Sequence, residues 1–177
     1  MCHDEGTPSV LFDEVEGCPP GFRILINWFT GTRKNLTLGF PENFNKLELS
    51  RGYSTHTKNM KPVPHEIVDD GPVFENVLEG DDIDVTRFPA PLWNPDDGGR
   101  YIGTGCFNIT RDPDTGWINC GTYRVMIHDE KRVGLYISPG KHGRIHRDKY
   151  MAKGEPMPVC IVVGTDPLSF LTSSTEV

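Results

Sequence analysis

The chain has 177 residues, a formal net charge of −7 and a hydrophobic content of 36%. This length is sufficient for one domain with a sizeable core, or for one domain with a smaller appendage. No run of 18 apolar residues occurs, so no membrane span is expected. Because no signal-peptide pattern is present and the five cysteines are scattered, we expect free thiols and a cytoplasmic protein.

The charges are unevenly distributed along the chain. Residues 100–153 contain ten lysines and arginines against five acidic residues, whereas the rest of the chain contains eight against twenty. A basic segment in an acidic chain predicts local binding of an anionic ligand. A nucleic-acid groove would need a broader basic face, so no nucleic-acid partner is expected.

The N-terminal part predicts short elements joined by turns. Strands are predicted at 9–15 and 22–29, separated by the turn segment EGCPPG. A short helix is predicted within 40–52, with Gly52 after its end. The segment 59–99 is rich in proline and aspartate, which predicts a surface connection with one or two short strands and a domain boundary.

Beyond residue 100 the hydrophobic pattern becomes regular. Strands are predicted at 101–110, 117–127 and 132–138, joined by the turn clusters RDPDTG and HDEK. Three such strands in succession predict an antiparallel meander within a sheet or barrel. The remaining predicted elements are a helix at 141–153, a strand at 157–164 and a helix at 166–174.

Asn119 and Arg124 are unexpected within the predicted strand 117–127. A regular strand would direct them to opposite faces, because their separation is an odd number of residues. A bulge at Gly121 would allow both side chains to serve one pocket. The alternative is an asparagine that ends a turn and an arginine that extends from the strand into solvent.

The sequence SPGKHGRIH places a Lys-His pair at a predicted helix N-terminus. Backbone N–H groups there, together with Lys141, are suited to hold a phosphate, and His142 is a candidate metal ligand. His142 and His146 have the spacing of a two-histidine zinc site. Gly143 stands where the metalloprotease helix has its catalytic glutamate, so that site is not supported and His146 is expected to be solvated.

Several runs of the sequence resemble, in order and spacing, the UbiD family of decarboxylases. They are DVTRFPAPLWNPDDGGRYIGTG, ITRDPDTGWINCGTYRVMI, KRVGLYISPGKHGRIH and KGEPMPVCIVVGTDPLSFL, and the resemblance is close over 84–177 and looser over 9–40. It implies a cofactor, prenylated FMN, with a divalent cation such as Mn2+ and a K+ ion. It further implies the addition or removal of CO2 on aromatic or α,β-unsaturated carboxylic acids.

The resemblance also implies roles for individual residues. Asn119 and His142 match the family's metal ligands, and Arg124 matches the arginine that binds the substrate carboxylate beside the reactive ring. Ser173, Ser174 and Thr175 lie where the family wraps its backbone around the phosphate and the potassium ion. The residues implied to contact the cofactor are Thr122, Tyr123, Arg124, Tyr136, Ile137, Ser138, Lys141, His142, Ser173 and Ser174.

The implied fold is mainly β with helices. We expect a split β-barrel cofactor-binding domain at 84–177, incomplete at its C-terminus, preceded by a partial α/β segment and linker at 1–83. The family's glutamate ligand and catalytic carboxylates lie further along, and Glu176 falls too early to match that glutamate. We expect missing sequence or another chain to supply these acids. The expected partner of this chain is therefore a second copy of itself, in a homo-oligomer, or a complementary chain that carries the acids. A non-catalytic flavin-binding module and a structural subunit are the alternatives.

Overall fold

The computed structural model describes residues 7–61, 63–103 and 105–175, which form eight strands and four α-helices. The predicted class, mainly β with helices, is confirmed. The N-terminal elements are β1 (Val10–Phe12), β2 (Ile24–Ile26), α1 (Arg33–Thr37) and α2 (Lys46–Asn59). The later elements are β3 (Tyr101–Gly103), β4 (Phe107–Arg111), β5 (Ile118–Thr122), β6 (Arg124–Ile127), β7 (Val133–Tyr136), α3 (His142–Lys153), β8 (Val159–Val162) and α4 (Pro167–Ser173).

Both predicted N-terminal strands form in a shorter version, whereas the helix predicted within 40–52 is displaced. β1 and β2 pair antiparallel. The helix predicted within 40–52 begins at Lys46, because the Asn45 side chain accepts the backbone N–H of Glu48 while the Glu48 carboxylate accepts that of Asn45. It continues through Gly52, where the Phe40 ring lies 2.9 Å from the position a Cβ would take.

The segment between α2 and β3 contains three single 3-10 turns and no strand among its described residues (Pro72–Phe74, Gly80–Asp82 and Val85–Arg87). The prediction of one or two short strands there was wrong, because proline and acidic residues leave no run long enough to pair. The end of the segment is attached to the sheets, since Val85 donates its N–H to the Glu130 carbonyl at 2.8 Å. The division between 1–83 and 84–177 stays a prediction.

Residues beyond 100 form two separate three-stranded antiparallel sheets. One sheet has the order β5-β4-β8 and the other has the order β3-β6-β7. The predicted turns RDPDTG and HDEK do connect hairpins, β4–β5 and β6–β7. The predicted meander is wrong, because the strand predicted at 117–127 is interrupted at Tyr123 and its two halves belong to different sheets.

The β5-β4-β8 sheet buries its polar face. Asn108 and Thr110 on β4, and Asn119 on β5, are almost inaccessible, while the neighbouring Cys120 is exposed. Helix α3 covers this face, where His146 contacts Thr110, and α4 also packs against β4 and β5. Buried polar groups must be hydrogen-bonded, so this face needs an internal network of partners.

The two C-terminal helices form close to their predicted positions. Asp166 caps α4 by accepting the N–H groups of Leu168 and Ser169, and Pro167 occupies the first turn. α3 ends at Gly154, whose φ of 72° is in the left-handed region that glycine adopts readily. Among the described residues, no helix has both the length and the apolar character needed to cross a membrane.

Candidate functional site

The carboxamide of Asn119 is held in one orientation by two hydrogen bonds. Its side-chain nitrogen donates to the hydroxyl oxygens of Thr110 at 3.2 Å and Tyr123 at 3.3 Å. The residue is 6% exposed, and its side-chain oxygen accepts no hydrogen bond from the described part of the chain. Because both amide hydrogens are engaged, the oxygen is available to a ligand. Amide oxygens suit hard divalent cations.

Tyr123 connects Asn119 to the start of α3. Its hydroxyl also accepts the backbone N–H of Gly143 at 3.2 Å. The buried ring lies between Gly121 and Gly143: a Cβ on Gly143 would meet it at 2.9 Å, and one on Gly121 would overlap it. Glycine at both positions is therefore required for the ring to reach Asn119.

Of the two alternatives for this strand, the bulge at Gly121 is absent from the β4–β5 pair. The register runs without a shift from Phe107 opposite Thr122 to Arg111 opposite Ile118. The interruption occurs instead at Tyr123. The amide nitrogen of Asn108 donates to the carbonyls of both Gly121 and Tyr123, at 3.2 and 3.1 Å, and so stabilises the change of direction.

Arg124 lies on the other sheet and is exposed. It is directly opposite Tyr136 in the β6–β7 pair, with its guanidinium 5.5 Å from the centre of the tyrosine ring. Among the described residues it has no carboxylate partner. Its surroundings form an open groove whose other lining residues are Tyr101, Met126, Gly134 and Leu135. The structure therefore places Asn119 and Arg124 on different sheets rather than on one strand.

The Lys-His pair lies at the start of α3, as predicted. Lys141 is the exposed residue immediately before the helix, and His142 is its first residue. The His142 ring packs edge-on against Trp117, with the ring centres 4.9 Å apart. Trp117 precedes Asn119 by two residues and lies on the same side of the chain. The structure thus brings Asn119, Tyr123 and His142 together where β5 meets α3.

The expectation that His146 is solvated was wrong. The side chain is 2% exposed, with Nδ1 3.0 Å from the Thr110 hydroxyl and Nε2 3.7 Å from the Asp112 carboxylate. Burial lowers the pKa of His146, against an opposing effect of Asp112. The neutral imidazole is therefore favoured. The i, i+4 spacing gave no sign of this, because the side of α3 that faces inward is determined by the sheet beneath it.

The carboxylates nearest this cluster form ion pairs with lysines of α3. Lys149 lies 2.6 Å from Asp112 and 3.1 Å from Asp114, and Lys153 lies 2.7 Å from Asp114. The hydrogen bond from Lys149 is the main reason that the pKa of Asp112 lies far below its ordinary value. Within the described ranges, no three His, Cys, Asp or Glu side chains are grouped so as to hold a metal ion.

The remaining predicted residues fall at two other places. Thr122, at the end of β5, shares a hydrogen bond of 2.7 Å with the buried Ser173 of α4, and Ser174 follows that helix. Ile137 and Ser138 follow β7, and Ser138 accepts the backbone N–H of Lys141 at 3.3 Å. Sequence reasoning missed Thr110, Asp112 and Lys149 as members of the cluster. The alternation of Asn108 and Thr110 on β4 was the available signal.

Solved structures with the same fold identify the class of protein. The closed form of vanillic acid decarboxylase from Sedimentibacter hydroxybenzoicus superimposes with a TM-score of 0.88 at 26% identity, over 97% of this chain and 37% of that one. An evolved dimeric form of the UbiD-class enzyme HmfF from Pelotomaculum thermopropionicum, in complex with prFMN, gives 0.80 at 25% identity, over 96% and 38%. The fold is that of UbiD-class flavin-binding domains.

The sequence matches the same class. Residues 66–177 match the family model described as "UbiD: 3-octaprenyl-4-hydroxybenzoate carboxy-lyase Rift-related domain", and the chain belongs to this family. Pyrrole-2-carboxylic acid decarboxylase of Pseudomonas aeruginosa is 29% identical, over 93% of this chain and 35% of that protein. Ferulic acid decarboxylase 1 of Candida dubliniensis is 31% identical, over 96% and 33%. The chain spans about a third of the length of these relatives.

Proposed function

We propose that this chain is the prenylated-FMN- and metal-binding portion of a UbiD-like non-oxidative decarboxylase or carboxylase. Its substrates would be aromatic or α,β-unsaturated carboxylic acids, as the names of its relatives suggest. The observation that carries the proposal is the orientation of the Asn119 carboxamide. Its nitrogen is bound by Thr110 and Tyr123, and its oxygen is available beside the His142 end of α3.

The phosphate and its metal would bind where β5 meets α3. The Asn119 oxygen and an imidazole nitrogen of His142 are the proposed ligands of Mn2+, a cation that accepts both oxygen and nitrogen donors. Lys141 and the N-terminus of the helix supply positive charge for the cofactor phosphate. The end of α4, at Ser173 and Ser174, is the proposed contact for K+ and the phosphate.

Arg124 is proposed to bind the substrate carboxylate. Its guanidinium lies against the Tyr136 ring, which leaves N–H groups free to form paired hydrogen bonds with a carboxylate. Bound prenylated FMN would supply the bond-making and bond-breaking chemistry at the substrate carbon. Arg124 would hold the carboxylate that leaves as CO2.

The general acid is proposed to come from residues other than those of this cluster. Asp112 and Asp114 are held in ion pairs with lysines, and a carboxylate whose pKa is lowered is a poor proton donor at neutral pH. A further part of the same protein, a second copy or a complementary chain would contribute the acid.

An anaerobic titration with prenylated FMN, with and without Mn2+, tests the cofactor site. Trp117 fluorescence reports binding, and Trp117→Phe identifies its share of the signal against that of the other tryptophans. We expect Asn119→Ala to weaken the Mn2+-dependent binding tenfold or more, because it removes a metal ligand. Arg124→Ala is expected to weaken this binding less, because Arg124 is proposed to act mainly on the substrate carboxylate. Equal losses in both variants would overturn the division of roles.

A further inference from the structure

Thr110 and His146 form a buried chain of hydrogen bonds behind Asn119. Thr110 lies directly opposite Asn119 in the β4–β5 pair and is 1% exposed. Its hydroxyl oxygen is 3.2 Å from the Asn119 nitrogen and 3.0 Å from Nδ1 of His146. On the far side of the imidazole, Nε2 faces the Asp112 carboxylate at 3.7 Å, which Lys149 holds in place.

Asp112 fixes the donors and acceptors of this chain from its far end. Its negative charge faces Nε2 of the neutral His146 ring, so the imidazole proton resides on Nε2 and Nδ1 is unprotonated. Nδ1 can then only accept, and the single hydrogen of the Thr110 hydroxyl points to it. The Thr110 oxygen is left to accept from Asn119, where only the amide nitrogen can donate.

This assignment decides which way the Asn119 carboxamide points. The Tyr123 hydroxyl is able both to accept from an amide nitrogen and to donate to an amide oxygen, so Tyr123 alone does not distinguish the two orientations. Thr110 does distinguish them, because its hydrogen is committed to His146. An amide turned by 180° would place its oxygen against an oxygen that has no hydrogen to give.

We propose that Thr110 and His146 are positioning residues that keep the Asn119 oxygen directed toward a divalent cation. The inference rests on the proposed metal site and deepens it. Neither residue acts on substrate or cofactor: His146 is 2% exposed and reaches Asn119 through Thr110. Outer partners of a metal ligand typically alter metal affinity by 10–100-fold when removed.

The test is a titration of Mn2+ into the chain saturated with prenylated FMN, with free Mn2+ measured by electron paramagnetic resonance. Thr110→Val preserves the shape of the side chain and removes the hydroxyl, and His146→Phe preserves a ring and removes its nitrogens. We expect each to weaken Mn2+ binding about tenfold or more. Thr110→Ser restores the hydroxyl and should bind Mn2+ within about twofold of the unaltered chain.

Two controls separate positioning from general loss of structure. Thr37→Val removes a threonine hydroxyl that donates to a carbonyl within α1, and it should leave Mn2+ affinity unchanged. Urea unfolding of every variant, with circular dichroism, identifies any that fails to fold. If Thr110→Val or His146→Phe fails to fold, the Mn2+ affinity of the other variant, compared with that of Thr110→Ser, tests the positioning role.

The outcomes distinguish this inference from the proposed function. Mn2+ affinity that is lost in Asn119→Ala but unchanged in folded Thr110→Val would overturn the positioning role and leave the metal site standing. Mn2+ binding that is absent from the unaltered chain, or unaffected by Asn119→Ala, would overturn the metal site and the positioning role together. Loss in Thr110→Val with recovery in Thr110→Ser supports both.

Discussion

The Tyr123 hydroxyl accepts a hydrogen bond from the Asn119 side chain at 3.3 Å, four residues earlier in the chain, and another from the backbone of Gly143 at 3.2 Å. One phenol oxygen thus joins β5, in the β5-β4-β8 sheet, to the first turn of α3. It does so at the residue where the chain leaves that sheet for the other. Stability and site geometry therefore depend on the same atom.

Tyr123→Phe should destabilise the chain by about 1–3 kcal/mol, because two donors lose their acceptor in a buried place. Urea unfolding followed by circular dichroism measures this free energy. Tyr136→Phe is the matched control, since Tyr136 is exposed and its ring contact with Arg124 does not need the hydroxyl. If both variants lost the same small amount, the bridge between Asn119 and Gly143 would contribute nothing to stability.

Gly121→Ala should cost about 1–3 kcal/mol in the free energy of unfolding, because the new methyl group overlaps the Tyr123 ring in a tightly packed place. Gly98→Ala provides the comparison, since nothing lies within 4 Å of the Cβ it would add. Thermal unfolding of both variants would show the difference. A Gly121→Ala variant as stable as Gly98→Ala would mean that Tyr123 does not occupy this position.

Elements that depend on nearby residues could be predicted from the sequence. Asp166 and Pro167 define the start of α4 because a helix cap requires only the next few residues. The interruption at Tyr123 could not be predicted in this way. The apolar pattern continues through it, and the ring finds its place against Gly143, twenty residues further along the chain. The nearest cue, Gly121, indicates a bulge only as one of two alternatives, and β5 keeps its register there.

The candidate site was predicted in part for the same reason. Asn119 and His142 stood out because an amide within a strand and a histidine at a helix start are locally unusual. Tertiary contacts bring the two residues to one point and divide the cluster between β5 and α3, and the local sequence does not show such contacts. The buried position of His146 is also tertiary, since a solvated and a buried histidine look alike in a short amphipathic helix.

Asp112 should make stability depend on acidity. The Lys149 hydrogen bond lowers its pKa in the folded chain, so as pH falls below about 3.9 the unfolded chain binds a proton first. Stability present above that pH is then lost as pH decreases. Urea unfolding at pH 5, 4 and 3 should show a smaller acid loss for Asp112→Asn than for the unaltered chain. Asp13→Asn alters an exposed carboxylate, and its free energy of unfolding should decrease with acid as much as that of the unaltered chain.

The cysteines should differ sharply in reactivity. Cys106 is 1% exposed and burial raises the pKa of its thiol to about 11, whereas Cys160 is exposed on β8. Because the thiolate is the reactive form, iodoacetamide at pH 8 should modify Cys160 in the folded chain and leave Cys106 unmodified. Mass spectrometry of peptides measures this, with urea-unfolded chain as the reference. Equal labelling of both in the folded chain would contradict the buried position of Cys106.

The chain passes from one sheet to the other at Tyr123, so the number of residues between Asn119 and Arg124 is as important as which residues they are. A residue inserted between Asn119 and Tyr123 would move the register of β5 by one, and a strand displaced by one residue turns every side chain to the other face. Asn119 would then leave the side covered by α3, while Arg124 would keep its place opposite Tyr136. Selection on this stretch would therefore reject insertions and deletions even where individual side chains tolerate replacement.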